Sequence, residues 1–228
     1  MKKQVKFSVV ALVAVMAAGH VCAQTAGSWM VRAGATKLAP SGPSSCMSAP
    51  DFGDTATGCT KSNVSADTQL AGGITYMLTN NVSVDVPVAL PFTHKLIGAG
   101  SMQGAGSIGE IQALPVTVFL QYRFLEANAQ FRPYLGLGAT YAYFFNPQGS
   151  GRLTSTTNPG GPPTTFTVDS KFILTPQIGA TLAFSDKWFV DVFYSKSKLS
   201  TTTHLSSGQT ISADLDPAAY GFALGYKF

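Results

Sequence analysis

The final nine residues, Tyr220-Gly221-Phe222-Ala223-Leu224-Gly225-Tyr226-Lys227-Phe228, alternate large apolar side chains with small or polar ones and stop on an aromatic. Successive side chains of a strand point to opposite faces, so this segment has one greasy face and one face of glycine, alanine and lysine. A sandwich would set the greasy face against a second sheet. Glycine and alanine opposite it suit instead the crowded inside of a small barrel, which leaves the greasy face only lipid to meet.

The start of the chain explains how it reaches that lipid. Lys2, Lys3 and Lys6 precede an apolar run from Phe7 to Ala18, and Val21-Cys22-Ala23 matches the small-residue pattern that signal peptidase cuts. Residues 1–23 therefore read as a cleavable export signal and 24–228 as one barrel domain. The run is too short for a membrane helix, which needs about 20 apolar residues. Only 11% of residues are charged, against roughly 25% in ordinary soluble domains. Of the net charge of +4, three lysines leave with the signal, so +1 remains and nucleic acid is not an expected partner.

Cys22 also leaves, and the remaining Cys46 and Cys59 read as a disulfide stapling a surface loop in an exported protein. Metal binding is the alternative for this pair, but no nearby histidine completes a ligand set; no cofactor is expected.

Eight alternating segments follow, near 28–38, 66–78, 82–93, 110–124, 131–145, 170–184, 188–199 and 212–228. The breaks at 79–81, 125–130 and 185–187 are short; those at 39–65, 94–109, 146–169 and 200–211 are long and rich in Gly, Pro, Ser and Thr. The pattern predicts an all-β chain: an eight-stranded antiparallel transmembrane β-barrel with short periplasmic turns, long extracellular loops and both termini on the periplasmic side. Period-two counting turns Trp29, Leu70, Val84, Val118, Leu137, Leu174 and Val192 outward with their alternate neighbours. It also gathers Trp29, Tyr122, Phe124, Phe131, Phe184, Trp188, Tyr226 and Phe228 into one aromatic girdle, with Tyr141, Tyr143, Phe172, Tyr194 and Tyr220 in a second.

The inward face carries the functional expectation. Near the periplasmic ends it holds Arg32, Asp85, Arg123, Asp191 and Lys227, which an eight-stranded barrel must pack together and pair, forming a charged plug. Above them the inward residues turn apolar or small, including Pro87, Phe119, Gly138, Phe144 and Phe193, with Thr117, Thr140 and Thr175 among them. Such a hydrophobic lumen suits a small hydrophobic ligand, although the three phenylalanines could equally just fill the barrel. Pro87, Pro91, Pro115, Pro176 and Pro217 each remove a ladder donor and could weaken one seam. Lys196 and Lys198, outward at the top of the seventh strand, are placed to meet lipopolysaccharide phosphates.

Leu114-Pro115-Val116-Thr117 with Leu120-Gln121-Tyr122-Arg123-Phe124, Pro133-Tyr134-Leu135-Gly136-Leu137-Gly138 with Tyr141 and Phe144-Phe145, Asp186-Lys187-Trp188, and Leu215-Asp216-Pro217 through Gly225-Tyr226-Lys227-Phe228 together resemble the OmpW family of outer-membrane proteins. The resemblance implies a narrow apolar passage for small hydrophobic molecules, release sideways into the membrane, and a terminal aromatic, Phe228, read by the barrel-assembly machinery. Catalysis is not expected: His94, His204, Ser206 and Glu110 fall in or beside long loops. A barrel with a structural or adhesive role, working through its outer loops without transport, is the alternative reading.

Overall fold

The computed structural model describes residues 23–42, 44–48 and 59–228; all but the last residue of the stretch expected to be an export signal lies outside them. Thirteen strands and one short helix follow one another: β1 (Trp29–Ala39), β2 (Thr60–Val64), β3 (Asp67–Met77), β4 (Val82–Ala89), β5 (Phe92–Gly100), β6 (Ser107–Arg123), β7 (Phe131–Gly149), α1 (Gly151–Thr157), β8 (Phe166–Val168), β9 (Lys171–Ala183), β10 (Trp188–Lys196), β11 (Ser200–Leu205), β12 (Thr210–Asp214) and β13 (Ala218–Lys227). β1, β3, β4 continued by β5, β6, β7, β9, β10 and β13 form eight antiparallel walls, and the β6–β7 and β1–β13 pairings close them into a barrel. Closure leaves the barrel no free edge. Ten residue pairs, from Met30↔Lys227 to Ala39↔Ala218, join the first wall to the last.

The lipid face follows the alternation. Leu70, Val88, Val118, Leu137, Phe172 and Phe222 are each at least 50% exposed, an apolar belt tolerable only in hydrocarbon. At the short-turn end Trp29 packs against Tyr76, Tyr122 against Phe124, and Tyr226 against both Trp188 and Phe228, with ring centroids 4.7–5.1 Å apart. Toward the long loops Tyr141 meets Phe172 at 4.6 Å, and Tyr194 and Tyr220 lie opposite each other.

Three departures from the alternation matter. The third wall does not stop near 93: it reaches Gly100, with its pairing to β6 moving from Asp85↔Phe119 to Phe92↔Ala113. That shift inserts one residue at Leu90–Pro91 and turns Phe92 and His94 inward, as a bulge must. The last wall begins at Ala218 rather than 212, because Asp216 takes a positive φ of 33° and Pro217 follows it.

The long loops are also folded rather than irregular. β2 pairs with β5, and β8, β11 and β12 make a separate three-stranded sheet. The bridges Ser44↔Ala213 and Ser48↔Thr210 tie the first loop to that sheet. Met102, Ile108, Ile111, Leu153, Phe166 and Leu205 form a small core above the barrel. Cys46 and Cys59 are disulfide-bonded beside it, with Cα atoms 5.2 Å apart.

Candidate functional site

The lower lumen is a packed polar layer. Arg32 (β1) donates to both oxygens of Asp85 (β4), at 2.5 and 2.8 Å, and to Thr75 Oγ1 at 2.9 Å. Thr75 in turn donates to Asp85 Oδ1 at 2.6 Å. Arg32 Nε lies 3.5 Å from Asp191 Oδ2 (β10), whose other oxygen accepts from Tyr134 OH at 3.1 Å. Period-two facing brings these side chains together from five different walls, β1, β3, β4, β7 and β10. A buried ion pair holds only when its remaining lone pairs and hydrogens find partners, and here they do.

Arg123 departs from the expected pairing, since it meets no carboxylate among the described residues. It donates to Ser83, Gln24 and Gln121 and stands 4.8 Å over the Tyr134 ring, so neutral acceptors and a π face carry its charge. Lys227 is not part of the plug: at the rim, its Nζ donates to the Ala23 carbonyl at 2.9 Å. Sequence reasoning overlooked Arg132, which is completely buried and donates to the carbonyls of Asn80, Gln24 and Phe124. Its position was readable, because Phe131 faces out and the next residue must face in. Gln24 also belongs here, donating to Thr181 and accepting from Arg123. At the short-turn end Met30, Met77, Ala183 and Phe189 form an apolar cluster inside the barrel.

Rings laid over glycines fill much of the interior. Phe119 covers Gly138, Tyr134 covers Gly179, Phe193 covers Gly221 and Phe189 covers Gly225, each across a directly paired position. Gly138 is therefore a packing residue and not a wall of the passage. A Cβ there would come 2.7 Å from the Phe119 ring and 2.9 Å from Thr117 Cγ2.

Above the plug a cavity of about 150 Å³ opens, floored by Arg32 and Gln177 and lined by Pro87, Phe119, Phe144 and Phe193. An apolar cavity near that size holds a benzene-sized molecule. Polar groups interrupt its greasy wall. Thr117, Thr140, Thr175 and Ser197 hydroxyls form a chain across neighbouring walls, with oxygens 2.9, 2.8 and 2.8 Å apart. His94 enters from the shifted part of the third wall.

One side of this cavity has an interrupted ladder. Below it β4 pairs with β6 from Val82↔Tyr122 to Asp85↔Phe119; above it β5 resumes at Phe92↔Ala113. Between them Val86–Pro91 faces Leu114–Val118 without a described bridge, although both stretches stay paired to their other neighbours, β3 and β7. Pro87, Pro91 and Pro115 all fall within this gap. Val88, on the lipid face, also borders the cavity.

The outer-loop candidates for catalysis engage separate partners. His204 Nε2 lies 3.5 Å from Asp169, Ser206 Oγ accepts from Thr165 N–H, and Glu110 faces Lys95. Lys196 and Lys198 are exposed at the top of the seventh wall, just beyond Tyr194.

A family model described as the OmpW family matches residues 25–228. Outer membrane protein W of Vibrio cholerae is 32% identical over 224 residues, covering 96% of each chain. The crystal structure of OprG from Pseudomonas aeruginosa superposes with a TM-score of 0.79 at 24% identity, covering 91% of this chain and 99% of that one. The solution structure of Escherichia coli outer membrane protein W gives 0.56 at 26% identity, covering 90% and 99%.

Proposed function

Because this chain belongs to the OmpW family of outer-membrane proteins, we propose that its upper lumen takes up small hydrophobic molecules from outside and releases them sideways into the membrane through the gap between β4–β5 and β6. The interrupted ladder carries this reading. It lies beside the apolar cavity and holds three prolines, residues that cannot donate to a ladder. The packed polar layer beneath opposes passage to the periplasm: an apolar molecule moving down would have to displace Arg32 from Asp85 and leave buried charges unpaired.

A cross-link over the seam tests the route. In a Cys46→Ser/Cys59→Ser background, Val86→Cys with Val118→Cys places two thiols at the position next to Asp85↔Phe119, the last pair of the lower ladder. Oxidation is expected to abolish protein-dependent uptake of a hydrophobic probe by cells, and reduction to restore it. Uptake that is equal in both states would remove the lateral route. Phe228, 71% exposed on the outer face, is available to the barrel-assembly machinery that the family resemblance implies.

A further inference from the structure

His94 is 3% exposed, and its Nδ1 lies 2.7 Å from the Ser65 carbonyl oxygen. A carbonyl can only accept, so Nδ1 carries the proton and Nε2 of the neutral ring holds a lone pair. Nε2 has no hydrogen-bond partner among the described residues. His94 lines the upper cavity, which is where an Nε2 without a protein partner can be reached. The wall around it is mostly apolar, with the hydroxyls of Ser62, Thr201 and Thr203 among the greasy side chains, and a neutral ring nitrogen that can only accept favours a ligand that brings a donor.

The hydroxyl chain deeper in the same cavity complements it. Four hydroxyls joined by three hydrogen bonds use three of their four hydrogens, and the whole chain can reverse direction. It can therefore present either a donor or an acceptor. His94 pairs with Ile111, and Thr117 lies six residues further down β6, roughly 20 Å along the strand at the usual rise, so the two groups act at successive depths.

We propose that these two groups select apolar molecules bearing a single hydroxyl, the alcohol or phenol class, over plain hydrocarbons of the same size: the hydroxyl donates first to His94 Nε2 and then exchanges onto the Thr117–Thr140–Thr175–Ser197 chain. This rests on the uptake reading above and names its ligand class.

The ring's environment sets a pH limit on the selection. Ile111 lies five residues outside Val116, which is level with the girdle residue Tyr141, so His94 stands beyond the membrane-spanning part. Burial pushes its pKa below the ordinary histidine range, against the Ser65 carbonyl and Asp67, which both raise it. Asp67 is the charged group facing it; Lys95 on the same strand and Glu110 on β6 pair with each other in an exposed position. Once protonated, Nε2 becomes a donor and its preference inverts.

The test measures binding of 4-fluorophenol, 4-fluorotoluene and 4-fluoroanisole to the protein in lipid nanodiscs by fluorine NMR, which separates lumen-bound from lipid-dissolved probe. At neutral pH the phenol is expected to bind about tenfold tighter than the toluene, as one satisfied hydrogen bond warrants. His94→Phe should lower that ratio by weakening the phenol relative to the toluene, the remainder being held by the hydroxyl chain, and His94→Gln, whose amide oxygen accepts, should restore part of it. Acidification through the titration of His94 should weaken the phenol and strengthen the anisole, which only accepts. A His94→Phe variant that shifts all three probes equally, or none, overturns the selection while leaving uptake standing. If no probe enters the lumen of the native protein, both fail together.

Discussion

Arg32 holds the structure's most exacting contact, and the difference between its two carboxylate partners is measurable. Asp85 takes two hydrogen bonds from it, whereas Asp191 meets only Nε at 3.5 Å. Asp85→Ala should leave a buried guanidinium without its main partner and destabilise the barrel by about 4 kcal/mol. Asp191→Ala should cost about 2 kcal/mol, chiefly by orphaning Tyr134 OH. Urea unfolding in lipid vesicles measures both, and an Asp191 cost equal to or above that of Asp85 would contradict this ranking. Facing made most of this layer legible: Arg32, Asp85, Arg123 and Asp191 all stand on inward positions. What alternation cannot tell is the partner of each, and so an expectation that the charges pair among themselves missed the neutral acceptors that hold Arg123 and brought Lys227 into a layer it does not touch. It also cast Gly138 as open wall, because a sequence does not show the ring lying over a glycine.

At the level of elements, the walls were readable because lipid on one side and a filled lumen on the other enforce the same alternation on every strand. The outer cap was not. Its core draws Met102, Leu153 with Phe166, and Leu205 from three different loops, and no period links them. The staple within the cap was legible from cysteine counting alone, and it makes a test of the cap's independence. A separation of 13 residues corresponds to roughly 3 kcal/mol of unfolded-state restriction on the chain-entropy account. Met47, next to Cys46, packs against the cap core and donates its N–H to the Thr60 carbonyl. Cys46→Ser with Cys59→Ser should therefore speed proteolysis between residues 44 and 60 while the barrel stays folded, which is expected to show in unboiled gels as a compact band that shifts on heating. Free thiols in untreated native protein would show that no staple exists.

Seen as a whole, the molecule offers its surroundings a basic patch as well as a greasy belt. Lys37 on β1 shares the outward register of Lys196 and Lys198; its Nζ lies 5.9 Å from the centroid of the Tyr220 ring, while Tyr194 opposes Tyr220. We propose that these three cations, just beyond the outer girdle where charge on the lipid face costs little, meet lipopolysaccharide phosphates. Changing all three to Gln is expected to lower co-purified lipopolysaccharide and its sensitivity to salt; unchanged yields would dismiss the contact. A final consequence comes from the extra residue at Leu90–Pro91. Facing in a strand is a matter of parity, so a single insertion acts as a frameshift does in a coding message: every later residue is read on the opposite side. Below it the third wall is written for hydrocarbon; above it the same backbone delivers Phe92 and His94 to the interior. A barrel of this kind can thus acquire or lose a recognition surface at its mouth by the gain or loss of one amino acid, with its membrane-spanning text left unedited.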